Sequence, residues 1–397
     1  MHTNSQCLDG AAVKTKATRY VALDVLRGMT VAGMILVNNP GSWSHAFAPL
    51  RHSPWSGCTP TDLVFPFFLF VVGAAMAFSF AKFTDGGGYR KLYTRAALIF
   101  LVGLAMNAFP FYNRWPDANL SFWENTVQYY SRLRIFGVLQ RIALSYALGG
   151  TLALWLKKPK KIACAFGGLL LLYWAVLYFL GNDGDPYSLE GNVVLAVDKW
   201  LIGEAHMYKG YGIPFDPEGL LGCIAGAGTV LMGYLAGNFT RTSKEKIEAV
   251  GGLYTWGLLS LGAAIVWNNW LPINKPLWTS SYVLYAGGWT LLLFGFFIYL
   301  IDIKGREKLF FPFKALGLNP LFAFVMAGLF SKILGGMIHW TNAAGQNKTV
   351  LSWFYNDTIV PIFGNNDLGS LIYALCYVLV FTLMAIWLYR KKIVIKL

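Results

Sequence analysis

Charge is what this sequence has least of. Only 13% of its 397 residues are Asp, Glu, Lys or Arg, about half the roughly 25% usual in a soluble chain. Such a chain cannot cover a water-facing surface of its own size. Cysteines number five, and only Cys58 falls in an expected outer loop, so no disulfide framework is available there. Neither CxxC nor HExxH occurs, and a metal site has no support. Gly86-Gly87-Gly88 is followed by no GKS/T and preceded by no strand, so it reads as a turn and not a phosphate cradle. Acidic residues are also scarce, giving a net charge of +14. No basic patch with interleaved aromatics lies outside the apolar runs, which excludes nucleic-acid binding.

What is present is apolar sequence, 56% of the chain. Runs near the 20 residues needed to cross hydrocarbon recur at 20–38, 62–83, 92–111, 133–156, 162–180, 219–239, 249–267, 281–301, 310–336 and 368–389. The pattern predicts an all-α integral membrane protein, a polytopic bundle of about ten transmembrane helices whose obvious partner is a lipid bilayer. Basic residues mark alternate loops: Arg90 and Lys91; Lys157, Lys158, Lys160 and Lys161; Arg241, Lys244 and Lys246; Lys304, Arg306 and Lys308; Arg390, Lys391, Lys392 and Lys396. The positive-inside rule puts those loops and both termini in the cytoplasm. Residues 1–19 read as a polar cytoplasmic tail without a signal peptide, 20–389 as one transmembrane domain, and 390–397 as a basic C-terminus.

Several polar residues lie inside the spans. Asp24 and Arg27 are three apart and share a helix face, as a structural ion pair would. Gln140 and Arg141 sit deeper. A charge at mid-membrane costs roughly 2.5–3.5 kcal/mol on insertion scales, so Arg141 must face a polar cavity or a partner. The ninth run is interrupted by Gly317, Asn319 and Pro320, and such a break is tolerated where it lines a cavity or packs on protein. Asp216 and Glu218 precede the sixth span, where they can cap a helix or hold a cationic substrate group. Trp115 and Trp123, in the outer loop 112–131, fit an interfacial belt.

The stretch from Arg51 to Gly73 concentrates the chemistry. A polar segment with His52, Trp55 and Cys58 leads directly into an apolar run, and Thr61 or Asp62 is a natural N-cap. His52 and Asp62 are thereby held at a membrane surface. An imidazole can take a proton from an incoming amine, or be acylated itself, and a carboxylate can fix its tautomer.

Seven blocks together resemble the heparan-alpha-glucosaminide N-acetyltransferase family, in family order: LDVLRGM (23–29), VNNPG (37–41), HSPWSGCTPTDLVFPFFLFVVG (52–73), RIFGVLQR (134–141), FDPEGLLG (215–222), INKPLWTSSY (273–282) and the Gly-Leu-Asn stretch at Gly317. The resemblance spans nearly the whole chain. It implies a membrane acyltransferase that uses acetyl-CoA from the cytoplasmic side and acetylates a glucosamine amine on the far side. The family's active-site histidine falls on His52 and its active-site asparagine on Asn38. With Asp62 these form the expected catalytic set. Gln140, Arg141, Asn319 and Lys275 are expected around acetyl-CoA, and Trp55, Asp216 and Glu218 around the sugar. No metal is expected. The loop from Asn38 to His52 reads as longer than in the lysosomal member, and no large lumenal domain is expected. A smaller amino sugar, a bacterial inner membrane and a homodimer are the corresponding expectations. An amino-sugar transporter and an O-acetyltransferase of an envelope glycan are the alternatives.

Overall fold

The computed structural model describes residues 20–81, 87–114, 116–182, 184–342 and 345–395. The expected tail 1–19, Gly86, Trp115 and Lys396 lie outside the described residues. The helices are α1 (Val21–Asn38), α2 (Pro60–Phe80), α3 (Gly87–Ala108), α4 (Phe122–Tyr130), α5 (Val138–Leu156), α6 (Pro159–Phe179), α7 (Val193–Ile202), α8 (Cys223–Thr242), α9 (Lys246–Trp267), α10 (Ser280–Phe297), α11 (Phe311–Leu318) and α12 (Pro320–Lys332). A short antiparallel hairpin of β1 (His339–Thr341) and β2 (Asn347–Thr349) follows, then α13 (Val350–Trp353), α14 (Val360–Phe363) and the long α15 (Asp367–Arg390).

Every expected span meets a helix. Among the described residues, seven helices are long and apolar enough to cross a membrane: α1, α2, α6, α9, α10 extended to Ile303, α12 extended to Met337, and α15. Helices α3, α5 and α8, with 22, 19 and 20 residues, are comparably long. They are more polar, carrying Arg90, Lys91 and Arg95, Gln140 and Arg141, and Asn238 and Arg241 respectively. The ninth run breaks as the sequence suggests, with α11 ending at Leu318, α12 starting at Pro320, and Asn319 between them. Helices α4 and α7, both in expected outer segments, were not foreseen.

Two seams of very close backbone approach fix the centre of the bundle. On α2 and α8, a Cβ added to Gly73 would lie 2.0 Å from the Val230 carbonyl oxygen, and one on Gly233 would lie 2.0 Å from that of Phe70. On α1 and α11, a Cβ on Gly28 would lie 1.7 Å from the Phe313 oxygen, and one on Gly317 1.8 Å from that of Asp24. Lipid tails are as apolar as the side chains they would replace, so packing at such small-residue contacts holds membrane helices together. Helix α2 is central, with 67% of its apolar window buried, whereas α6 and α9 bury 28% each and turn apolar rows outward.

Polar contacts tie each end of the bundle. At one end, Asp302 accepts the N–H groups of Val21 and Ala22 at 3.2 and 3.0 Å, satisfying the exposed donors of the α1 N-terminus. There Lys246 donates to the Asp302 carbonyl at 2.9 Å and the Tyr20 hydroxyl to Thr240 at 3.1 Å. At the other end, Gly57 N–H donates to Ile273 at 2.7 Å and Gly41 N–H to Ser370 at 3.3 Å. His52 belongs to this second end.

The glycine seams can be tested directly. Gly233→Ala and Gly317→Ala are each expected to cost about 1–3 kcal/mol through overpacking, lowering the thermal midpoint of the detergent-solubilised protein. Gly251→Ala, where nothing lies within 4 Å, should leave that midpoint unchanged or slightly raised.

Candidate functional site

The site grows from the start of α2. The sequence suggested a cap at Thr61 or Asp62. The helix instead begins at Pro60, with Thr59 as N-cap, because proline favours the first helical position and Asp62 closes a capping box from the third. Asp62 Oδ2 accepts the Thr59 N–H at 3.0 Å, the Ser53 N–H at 3.0 Å and the Thr59 hydroxyl at 3.1 Å. Its other oxygen, Oδ1, lies 2.6 Å from His52 Nδ1 and 3.2 Å from Lys275 Nζ. Lys275 Nζ is also 3.0 Å from His52 Nδ1. The Asp62 side chain is 1% exposed and that of His52 47%. A buried carboxylate thus orients a ring whose Nε2 side opens outward.

Neighbouring strands of chain hold this cluster in place. Ser56 and Gly57 bridge to Asn274, next to Lys275. Asn274 is itself buried, its side-chain oxygen accepting the Leu277 N–H at 2.8 Å. The Tyr282 hydroxyl donates to the Asp62 carbonyl at 2.6 Å. Trp55 donates from Nε1 to Tyr187 at 2.8 Å, and its ring meets those of Phe215 and Tyr211 edge-on, with centroids 5.3 and 5.8 Å apart. His52 also lines a cavity of about 290 Å³ with Trp43, Leu50, Asp367 and Leu371, between the ends of α1 and α15. Trp43 and Asp367 lie far apart in sequence, and no motif marked either of them.

The remaining candidates are dispersed. Asn38 is exposed on the last turn of α1 and makes no hydrogen bond to the cluster. Lys275, expected near acetyl-CoA, stands at His52. Gln140 and Arg141 are 1% and 0% exposed and line neither the cavity at His52 nor the one at Arg27 described below. Arg141 donates to the Gly219 carbonyl at 3.0 Å and lies over the Trp278 ring, 5.0 Å from its centroid. Helix α5 begins at Val138, so Arg141 stands in its first turn and not at mid-span as the longer expected run implied; only Nη2 is hydrogen-bonded, while Nε and Nη1 are buried without such a partner. Asp216 and Glu218 both meet Arg134, at 2.7 and 2.6 Å, so the two carboxylates share one cation. Asn319 is buried. Its amide donates to the Ile393 carbonyl at 3.0 Å and its oxygen accepts the Ile395 N–H at 2.7 Å, pinning the segment after α15.

A second cavity, of about 320 Å³, opens toward the other end of α2. It is walled by Phe68, Val72, Met76 and Tyr146, by Val394 and Ile395, and by two cations, Arg27 and Arg95. Arg27 pairs with Asp24 at 3.4 Å, as the sequence suggested, and also donates to the Gly317 carbonyl. Six residues separate Asp62 from Phe68, roughly 9 Å of helix at 1.5 Å per residue. The His52 cluster and the arginine-lined cavity therefore share α2 as a common wall. No group of three or more His, Cys, Asp or Glu able to hold a metal occurs among the described residues.

Such an arrangement defines a helical integral membrane protein with a histidine–carboxylate pair at one end of its helix bundle. Residues 19–182 match the family model described as heparan-alpha-glucosaminide N-acetyltransferase, catalytic. Two curated relatives carry the name heparan-alpha-glucosaminide N-acetyltransferase. The mouse protein (Mus musculus) is 27% identical over 375 residues, covering 79% of this chain and 54% of the relative. The human protein (Homo sapiens) is 27% identical over 370 residues, covering 77% and 52%. These matches agree with the resemblance read from the motifs: the chain is similar to proteins named heparan-alpha-glucosaminide N-acetyltransferase, and its first part matches the catalytic model of that family. It spans about half the length of the curated relatives it matches. The family model covers Asn38, His52 and Asp62 but ends before Lys275 and Asn319.

Two titrations follow from the surroundings. Burial first, and then the Asp62 charge, push the Cys58 thiol up to about 12 against the pull of Lys275. Only the thiolate is a nucleophile, so Cys58 should react with maleimide at pH 8 at least about tenfold more slowly than free cysteine, measured by mass spectrometry. Burial also pushes the carboxyl of Asp198, on α7, up to about 6, outweighing the backbone donors and Arg141. The unfolded chain releases that proton first, so stability falls as pH climbs from about 4 to about 6. Asp198→Asn is expected to flatten this slope in midpoint-against-pH curves.

Proposed function

We propose that this chain is a membrane N-acetyltransferase. It moves an acetyl group from acetyl-CoA, bound from the cytoplasmic side, to the amine of a glucosamine-type sugar on the extracytoplasmic side. The observation that carries this reading is the His52–Asp62–Lys275 cluster at the head of α2. The family resemblance and the arginine-lined cavity at the other end of the same helix support it. Lys and Arg loops at the cytoplasmic face would attract the CoA phosphates, and Arg27 and Arg95 line the cavity beside an apolar wall of Phe68, Val72 and Met76.

The chemistry assigned to each residue is specific. With Nδ1–H donated to Asp62, His52 presents the Nε2 lone pair, as in other histidine–carboxylate pairs. As the sugar nitrogen bonds to the thioester carbon, Nε2 takes the amine proton and the C–S bond breaks, releasing CoA as thiolate. In the variant with an acyl carrier, Nε2 bonds to the acetyl carbon as the C–S bond breaks and CoA leaves as thiolate; the amine nitrogen then bonds to that carbon as the C–Nε2 bond breaks, and the amine proton passes to the freed Nε2. Lys275 balances the Asp62 charge in both routes. Asn38 is assigned as donor to the developing oxyanion, a role worth about 2.7–4 kcal/mol where it is filled. Trp55 and the aromatic wall behind it offer a stacking face for the sugar. A bacterial inner membrane is the setting this reading favours.

The test is an assay of the protein in sealed vesicles with labelled acetyl-CoA and glucosamine. His52→Ala is expected to lose about 10²–10⁴-fold in acetyl transfer, the usual worth of a positioned acid–base group, while still being stabilised thermally by CoA. Undiminished acetylation of the amine would remove His52 from the mechanism. Arg27→Gln and Arg95→Gln should raise the KM for acetyl-CoA with little change in kcat.

A further inference from the structure

Away from His52, two cavities share one wall at the same end of the bundle. One, of about 280 Å³, is lined by Gln128, Arg132 and Arg134. The other, of about 300 Å³, is lined by Arg114, Lys332 and Pro110. Asn107, Asn113 and Tyr129 belong to both. The charge here is lopsided. Arg134 is outweighed by Asp216 and Glu218, which share it and leave one negative charge over. Arg114, Arg132 and Lys332 have no carboxylate partner among the described residues. Arg114 donates to the Gly336 carbonyl, and Lys332 to those of Met106 and Phe109, contacts that orient the cations without cancelling their charge. Arg132 is exposed.

Three cations around one polar double cavity repel each other unless an anion enters, and guanidinium groups with amide and hydroxyl neighbours suit oxyanions. The cavity is also tied to the His52 side. Arg134 lies over the Tyr208 ring, 4.8 Å from its centroid; Tyr208 meets Tyr211, and Tyr211 meets Trp55, with ring centroids 6.2 and 5.8 Å apart. A continuous ridge of rings thus runs from the His52 loop to the cationic cavity.

We infer that this double cavity is an anion subsite for the acceptor, holding a sulfate, phosphate or carboxylate carried by the sugar whose amine reaches His52. The inference rests on the proposed acetyl transfer for the identity of the ligand, but not for the binding itself. Arg132 and Arg114 grip the oxyanion, and Lys332 supplies charge from the half-buried wall. The amide of Gln128 adds a neutral donor. Selectivity for an acidic over a neutral amino sugar is the consequence.

Equilibrium binding to the full chain in nanodiscs of zwitterionic lipid tests this without turnover. The probes are glucosamine, glucosamine 6-phosphate and glucosamine 6-sulfate. The charged sugars are expected to bind about tenfold or more tightly than glucosamine, the worth of one charge-assisted hydrogen bond. That preference should shrink about tenfold in Arg132→Gln and weaken steeply with salt. Arg132 is exposed, so its variant avoids the refolding risk of Arg114→Gln, whose guanidinium holds Gly336. Equal affinity for charged and neutral sugars, or an unchanged preference in Arg132→Gln, overturns the subsite. Repeating the titration in nanodiscs with anionic lipid separates the sources: loss of sugar discrimination there would assign the cavity to a lipid headgroup and overturn the acceptor reading. Tight binding of charged sugars without any acetylation would overturn the proposed function and leave this subsite standing.

Discussion

One carboxylate organises the candidate site. Asp62 closes the N-terminus of α2 through the N–H of Thr59, fastens the preceding loop through the N–H of Ser53, and orients His52 and Lys275 with its second oxygen. At 1% exposure its charge is tolerable only because all of these donors are present, and removing one partner of such a buried pair costs about 3–5 kcal/mol. The same atoms therefore serve folding and chemistry. The loop cannot relax without releasing the imidazole, and the imidazole cannot turn without exposing the helix terminus. That coupling explains why the histidine loop and the head of α2 form one short uninterrupted stretch of sequence.

The rest of the bundle divides into two chemically different ends. Around His52 the chain is aromatic and hydrogen-bonded to loops, with Trp55, Tyr211 and Phe215 in mutual edge contact. Toward the other end of α2, the walls are apolar and the charges are arginines. An acetyl group bound as a thioester is small and neutral, while the CoA that carries it is large and polyanionic. Two unlike cavities along one helix suit the proposed transfer, in which carrier and acceptor approach from opposite ends of the bundle.

Much of the architecture was legible in the sequence because apolar runs of membrane length leave few alternatives in a chain this poor in charge. The break at Asn319 and the pairing of Asp24 with Arg27 were legible for local reasons, since proline ends helices and residues three apart share a face. The proximity of His52 and Asp62 was legible from their closeness to a helix start, although the start itself lies at Pro60. What sequence could not supply was distance across the fold. Lys275 is 213 residues from Asp62 and its loop contains no acid–base motif, so nothing local marked it as the third member of the cluster. Arg141 was expected deep in a span because its apolar run was read as starting at Leu133; that it stands in the first turn of α5, against Gly219 and Trp278, depended on how α5 and α8 pack. Asp216 and Glu218 looked available until the fold brought Arg134 between them.

The close seams between α2 and α8 and between α1 and α11 carry a mechanical implication. Where a glycine faces a carbonyl with room for hydrogen alone, neighbouring helices cannot slide past each other by even one residue without collision. Each pair is obliged to travel as a single stiff plank. Any breathing that the proposed transfer needs past Phe68 must then come from parting the planks, where contacts are made by side chains able to swing aside.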